Sequence, residues 1–182
     1  YARGPLRSRP LPEISREVTA LAREGYREVV LTGIHLASYG RDLGDCGLLD
    51  AIERASGAPG LERIRLGSLE PLWIDRAVAK ALAQNPKVCR QFHLSLQSGS
   101  DAVLTRMNRR YSAATYLGAL ELLREEMPSC AITTDVIAGF PGETEAEHQE
   151  TLAFCERAGF ARMHVFPFSE RAGTKAASMP GR

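Results

Sequence analysis

Five times along the chain, a segment with helical spacing of apolar residues gives way to a short apolar run of strand length. The first pair is "EISREVTALAREGY", which sets Ile14, Val18, Leu21 and Ala22 on one face between Pro12 and Gly25, followed by "REVVLTG". The others are "CGLLDAIERASG" with "LERIRLGS", "LWIDRAVAKALAQNP" with "RQFHLSLQS", "AATYLGALELLREEMP" with "CAITTDVIAGF", and "TEAEHQETLAFCERAG" with "FARMHVFPFS". Short strands separated by amphipathic helices need crossover connections, so the pattern predicts an α/β fold with a mostly parallel sheet. A barrel, a partial barrel and a doubly wound sheet all satisfy it.

The 182 residues, 44% hydrophobic and 25% charged, are enough for one domain with a substantial core. A formal net charge of +1 argues against wholesale polyanion binding, although "RMNRR" and the pair Arg7 and Arg9 are local basic patches. No apolar run approaches the ~20 residues that span a bilayer, and the Arg-bearing start has no apolar signal region. These features predict a cytoplasmic protein without a membrane partner. Cys46, Cys89, Cys130 and Cys155 are far apart, so neither a disulfide scaffold nor a closed zinc site is expected.

Polar and glycine-containing residues gather directly after the strands, in "TGIHLASYG", "GSLEP", "SLQSGSD", "GFPGET" and "FPFSERAGT", while the loops before the strands are plainer. Parallel α/β folds place ligand-binding groups at the carboxyl ends of their strands, and the asymmetry predicts one site built from these loops. In "GFPGET", Thr144 and Glu147 have the spacing of a capping box, and Gly139 and Gly142 allow close backbone approach. The loop matches neither a nucleoside-triphosphate nor a dinucleotide motif. Alternation along "HLSLQSGSD" puts His93, Ser95 and Gln97 on one face and Leu94 and Leu96 on the other, with Ser100 or Asp101 capping the next helix. Arg109 or Arg110 has the fork needed to bind a carboxylate or phosphate, and either equally suits a helix end. Glu70 and Asp135 are the acidic candidates; Asp135 lies in an apolar strand, where a carboxylate needs a partner. No catalytic triad or metalloprotease helix is present, so these residues describe a polar pocket without a reactive group of its own.

Taken in order, "LTGIHLASYG", "RIRLGSLEP", "HLSLQSGSDAVLTRMNRRY", "TTDVIAGFPGET" and "HVFPFSERAGTKAASMPG" resemble the successive blocks of the methylthiotransferase family of radical S-adenosylmethionine enzymes. "HVFPFS" with "RAGTKAASMPG" is most similar to the branch that acts on N6-threonylcarbamoyladenosine beside the tRNA anticodon. The branches acting on isopentenyladenosine in tRNA or on a ribosomal-protein aspartate stay open, as does a non-catalytic ligand- or RNA-binding module. The family's C-x-x-x-C-x-x-C motif, which holds a 4Fe-4S cluster, is not in this chain; "YARG" resembles the tail of the segment that comes after it.

The resemblance implies a partial (β/α)6 TIM-like barrel of the radical SAM type, with the first strand and cluster loop missing from this chain. Residues 1–182 would form the partial core domain, with the N-terminal methylthiotransferase domain and the C-terminal RNA-binding TRAM domain outside it. Implied cofactors are S-adenosyl-L-methionine and the 4Fe-4S cluster, with cluster ligands expected upstream of Tyr1. Implied partners are the tRNA anticodon stem-loop and an external electron donor. By the same resemblance, Gly33 would lie near the methionine amino group, and Glu70, Gln97 and Ser98 would contact the methionine or ribose. Arg109 would take the methionine carboxylate, Asp135 would hydrogen-bond within the pocket, Gly139 would allow close backbone approach, and Phe166 would lie near the adenine. None of these would ligate the cluster.

Overall fold

A computed structural model describes residues 4–181; Tyr1 to Arg3 of the "YARG" segment lie outside the described residues. The five helix-and-strand pairs are all present. α1 (Leu11–Arg23) precedes β1 (Glu28–Leu31), α2 (Leu48–Ser56) precedes β2 (Arg63–Leu66), and α3 (Arg76–Gln84) precedes β3 (Gln91–His93). A short α4 (Asp101–Arg106) and the longer α5 (Ala113–Glu126) lead to β4 (Ala131–Ala138), and α6 (Glu145–Ala158) leads to β5 (Arg162–Pro167).

The strands lie side by side in chain order, all parallel. β1 pairs with β2 from Glu28 opposite Arg63, β3 with β4 from Gln91 opposite Ala131, and β4 with β5 from Thr133 opposite Arg162. Between β2 and β3 the ladder thins to single parallel bridges, Ile64 to Val88 and Leu69 to Leu94. The result is a curved parallel sheet with β1 and β5 at its edges, a partial TIM-like barrel as expected.

Alternation divides the sheet into two faces. Val29, Ile64, Phe92, Ile132 and Val136 are buried against the helices, where they meet Ile14 and Val18 of α1, Ile52 of α2, Leu82 of α3, Leu120 of α5 and Phe154 of α6. Glu28, Arg65, Gln91, His93, Thr133 and Asp135 occupy the opposite, concave face and stay partly accessible. Val30, on that face, is 54% exposed although it belongs to an apolar run. β5 is exposed along its whole length, including Val165 at 59%, because among the described residues no helix covers its outer side.

The extended run expected through "RQFHLSLQS" is not a continuous strand. Leu94 N donates to Thr133 O at 3.0 Å and Gln97 N to Asp135 O at 2.8 Å, so three steps on one strand match two on β4. This is a β-bulge, and Gln97 leaves it with φ 72°, outside extended geometry. Thr134 repairs the ladder: its hydroxyl donates to Leu94 O at 2.5 Å and accepts from Leu96 N at 2.9 Å. Tyr116 of α5 is fully buried and donates to the same Leu94 carbonyl at 2.6 Å. Burial pushes its phenol well above the ordinary value, so the group stays a donor.

Behind the bulge the chain presses onto α6. A Cβ on Gly99 would lie 2.6 Å from Phe154 Cβ and 2.8 Å from Thr151 Cα, so this close approach admits only glycine. The capping box is formed as predicted: Thr144 Oγ1 accepts from Glu147 N at 3.3 Å, and Glu147 Oε2 accepts from Thr144 N at 2.8 Å. Glu147 also accepts from Arg106 Nη1 and Nη2, at 3.0 and 2.7 Å. The stretch before α1 is docked: Ser8 N donates to Asp42 at 2.8 Å, Tyr39 OH to Arg9 O at 2.7 Å, and Arg9 pairs with Glu17.

Thr134→Val keeps the shape of the side chain but strands Leu96 N–H in the core. Urea denaturation is expected to show a loss of about 1–3 kcal/mol, whereas a change within about 0.5 kcal/mol would remove the bulge clamp as a source of stability. Arg106 and, secondarily, the Thr144 amide hold the Glu147 carboxyl down to about 2. Its stabilising contribution is therefore complete above the unfolded value of about 4.3 and is lost as pH falls towards 2. Glu147→Gln should flatten that part of the acid limb in a series of denaturation midpoints against pH.

Candidate cofactor and substrate site

The concave face carries a hydrogen-bonded file that crosses all five strands. On β1, Glu28 accepts from Arg63 Nε at 2.7 Å and Arg65 Nε at 3.0 Å, and these guanidiniums lower its carboxyl below the usual range. Arg65 Nη1 donates to Gln91 Oε1 at 2.9 Å, and Gln91 Nε2 donates to Thr133 Oγ1 at 3.2 Å. Thr133 Oγ1 lies 3.0 Å from His93 Nδ1, His93 Nε2 3.3 Å from Asp135 Oδ2, and Asp135 Oδ1 3.2 Å from His164 Nδ1 on β5.

The donor inventory orients this file. Thr133 accepts from Gln91, which leaves its own proton for His93 Nδ1, so Nε2 is the nitrogen that donates to Asp135. Both Asp135 oxygens are engaged, as the sequence required of a carboxylate in that strand. His93 is thereby placed on the accessible face rather than in the apolar core.

A second group sits at the carboxyl ends of the strands. His35 Nε2 lies 2.7 Å from Glu70 Oε1. Tyr111 OH donates to Ser95 O at 2.8 Å and to Leu96 O at 3.0 Å, the backbone of the bulge. Burial raises the Tyr111 phenol; the charge of Arg109 lowers it and that of Glu70 raises it, so both residues lie within electrostatic reach of this ring. Arg109 and Arg110 are exposed, while Arg106 of the same basic stretch is consumed by Glu147.

The expected site residues thus fall into sets. Asp135 and Phe166 share the concave face, with Phe166 in register beside Ile137 and its ring centroid 6.4 Å from that of His164. Glu70 lies against His35, Arg109 is exposed, and Gln97 ends the bulge. Gly33 follows β1 beside a cavity of about 800 Å³ lined also by the segment before α1. Gly139 follows β4 with φ 72°, a Cβ there would meet nothing within 4 Å, and its N–H donates to Glu143 Oε2 at 2.6 Å. Ser98 departs from the expectation. Its side chain is fully buried on the same side as Leu94 and Leu96, 3.0 Å from Thr151 Oγ1 of α6.

Glu28, Arg65, Gln91, Thr133 and His164 complete the file but were not singled out from sequence. The available signal was a polar residue at every second position of strands that are otherwise apolar. For an S-adenosylmethionine-like molecule the chemistry of the donor set fits: Glu70, Arg109 and Gln97 supply a carboxylate, a guanidinium and an amide. For a metal cluster it does not. Among the described residues no group of three His, Cys, Asp or Glu could hold a metal, and burial raises the thiols of Cys130 and Cys155 away from the ligating thiolate.

Residues 1–155 match the Radical SAM superfamily. The chain belongs to that superfamily. It is 43% identical over 178 residues to the threonylcarbamoyladenosine tRNA methylthiotransferase MtaB of Thermotoga maritima, covering 97% of this chain and 40% of the relative. It is 48% identical over 180 residues to a tRNA-2-methylthio-N(6)-dimethylallyladenosine synthase of Parafrankia, covering 98% of this chain and 36% of the relative. These relatives support the methylthiotransferase resemblance, and the chain spans about two fifths of their length. Among solved structures, Escherichia coli coproporphyrinogen III oxidase HemN matches with TM-score 0.65 and 17% identity, over 92% of this chain and 38% of that one. The cobalamin-dependent radical enzyme OxsB matches with TM-score 0.64 and 16% identity, over 94% and 26%. At that identity the likeness concerns the fold alone.

Gly139→Ala isolates the backbone requirement after β4. With no clash to add, the left-handed conformation alone should cost about 1–2 kcal/mol in a denaturant titration; an unchanged midpoint would mean the loop relaxes without loss.

Proposed function

We propose that this chain is core sequence of a radical S-adenosylmethionine enzyme that inserts a methylthio group at C2 of N6-threonylcarbamoyladenosine beside the tRNA anticodon. The observation that carries the reading is the polar concave wall, a file of hydrogen-bonding side chains from Glu28 to His164. A threonylcarbamoyl group brings a ureido linkage, a hydroxyl and a carboxylate to such a wall. A dimethylallyl group brings only carbon, and its burial there would leave the open polar groups at the β5 end of the wall unpaired.

S-adenosylmethionine bound to a 4Fe-4S cluster supplies the radical chemistry in this superfamily, with one electron from an external donor. The cluster ligands belong to sequence other than the described residues. The part assigned to this chain is orientation. Glu70, Gln97 and Arg109 hold the polar end of the cofactor, Gly33 and Gly139 admit it against backbone, and Phe166 flanks an aromatic base. Asp135 fixes the two histidines of the wall. The N-terminal methylthiotransferase and C-terminal TRAM domains would complete the protein, acting in the cytoplasm on tRNA. No helix among the described residues is long and apolar enough to cross a membrane.

The dimethylallyladenosine reading has a specific point in its favour, the 48% identity to the Parafrankia enzyme. Mass spectrometry of tRNA nucleosides from a strain lacking the gene separates the two. Loss of the methylthio form of threonylcarbamoyladenosine, restored by complementation, is expected. Loss of methylthio-dimethylallyladenosine instead would overturn the substrate assignment, and an unchanged nucleoside profile would overturn the activity.

A further inference from the structure

We propose that His164 and Arg162 form the subsite that reads the carboxylate of the substrate's threonyl group. This rests on the substrate reading above and assigns its specificity to two side chains.

Both residues lie on the concave side of β5, with Arg162 in register beside Thr133 and His164 beside Asp135. Two residues along a strand separate them by about 7 Å, close enough for one carboxylate to engage both long side chains. His164 is fixed through one nitrogen only: Nδ1 faces Asp135 Oδ1 at 3.2 Å, and its side chain is 49% exposed. Nε2 has no hydrogen-bond partner among the described residues. Arg162 is exposed and has no ion pair among them.

The other charged groups of the face make this the place for an anion. Glu28 is held by Arg63 and Arg65, and both Asp135 oxygens are taken by His93 and His164, so neither carboxylate presents a free oxygen. Arg162 is left with uncompensated positive charge, and Phe166 bounds the subsite on the rim side. A ring with protons on both nitrogens can donate through Nδ1 to Asp135 and through Nε2 to the substrate carboxylate at once. The Arg162 guanidinium supplies the permanent charge and a second pair of donors. A substrate without the carboxylate leaves these donors unpaired, which is the strongest form of rejection available to a binding site.

The test uses the full-length enzyme reconstituted with iron, sulfide and S-adenosylmethionine, and two anticodon stem-loop RNAs: one with threonylcarbamoyladenosine, the other with its carboxylate converted to the amide. The wild-type enzyme should show a KM about tenfold or more higher for the amide RNA. His164→Phe should raise KM for the carboxylate RNA by a similar factor and have little further effect on the amide RNA. His164→Gln, which keeps an N–H donor at the end of the side chain, should recover part of the difference. Arg162→Gln, at an exposed and unpaired position, provides the same comparison should the histidine variants fail to fold.

Equal losses on both RNAs in His164→Phe and Arg162→Gln would assign these residues a merely structural role and overturn the proposal. So would wild-type indifference to the amide, or variants that behave as wild type on the carboxylate RNA while that RNA is turned over normally. If the wild-type enzyme turns over neither RNA but accepts one bearing dimethylallyladenosine, the substrate reading falls and the subsite falls with it.

Discussion

The hydroxyl of Thr134 is the contact on which the working face of this protein depends. It accepts from Leu96 N and donates to Leu94 O, while Tyr116 reaches in from α5 to the same carbonyl. Without these bonds the extra residue after β3 would leave two backbone groups unpaired in a dry core, at a cost no small domain readily absorbs. With them, the chain leaves the sheet at a defined angle. Ser95 and Leu96 then offer their carbonyls to Tyr111, which ties the bulge to the segment after α4. A buried threonine thus sets the geometry of a rim that it does not touch.

The concave wall solves a related problem. Strands of a curved sheet turn half of their side chains inwards, and here those positions carry charge. Neighbouring strands supply the partners: Glu28 pairs with Arg65 and Asp135 is hydrogen-bonded to His93, with Gln91 and Thr133 bridging the gap. Such a wall is costly when incomplete and specific when complete. Its one open end is at β5, where a histidine nitrogen and an arginine face solvent.

Element type and order were legible in the sequence because burial of one helix stripe and one strand face produces two different periods. The capping box at Thr144 and Glu147 was legible for the same reason, as a local pattern with a local cause. The partner required by Asp135 could be anticipated from its apolar surroundings, although the partners themselves could not, because they come from β3 and β5. What the sequence did not show was the bulge between Leu94 and Gln97, because its stabilising hydroxyl lies on another strand. Alternation puts Ser98 on the side of Leu94 and Leu96, and it does pack on α6; the cofactor contact expected of it came from the family resemblance. The file from Glu28 to His164 escaped for a similar reason: each member is an ordinary polar residue, and only register makes them neighbours.

The approach of Gly99 to Phe154 and Thr151 has a mechanical consequence. With no side chain between them, the turn after β3 and the middle of α6 form one body, and Ser98 and Gly99 are further pinned to Thr151 by hydrogen bonds. The same helix begins at Thr144, at the end of the loop carrying Gly139. Two of the loops that surround the site are therefore coupled levers on a common fulcrum, and neither can swing as a lid without carrying the other.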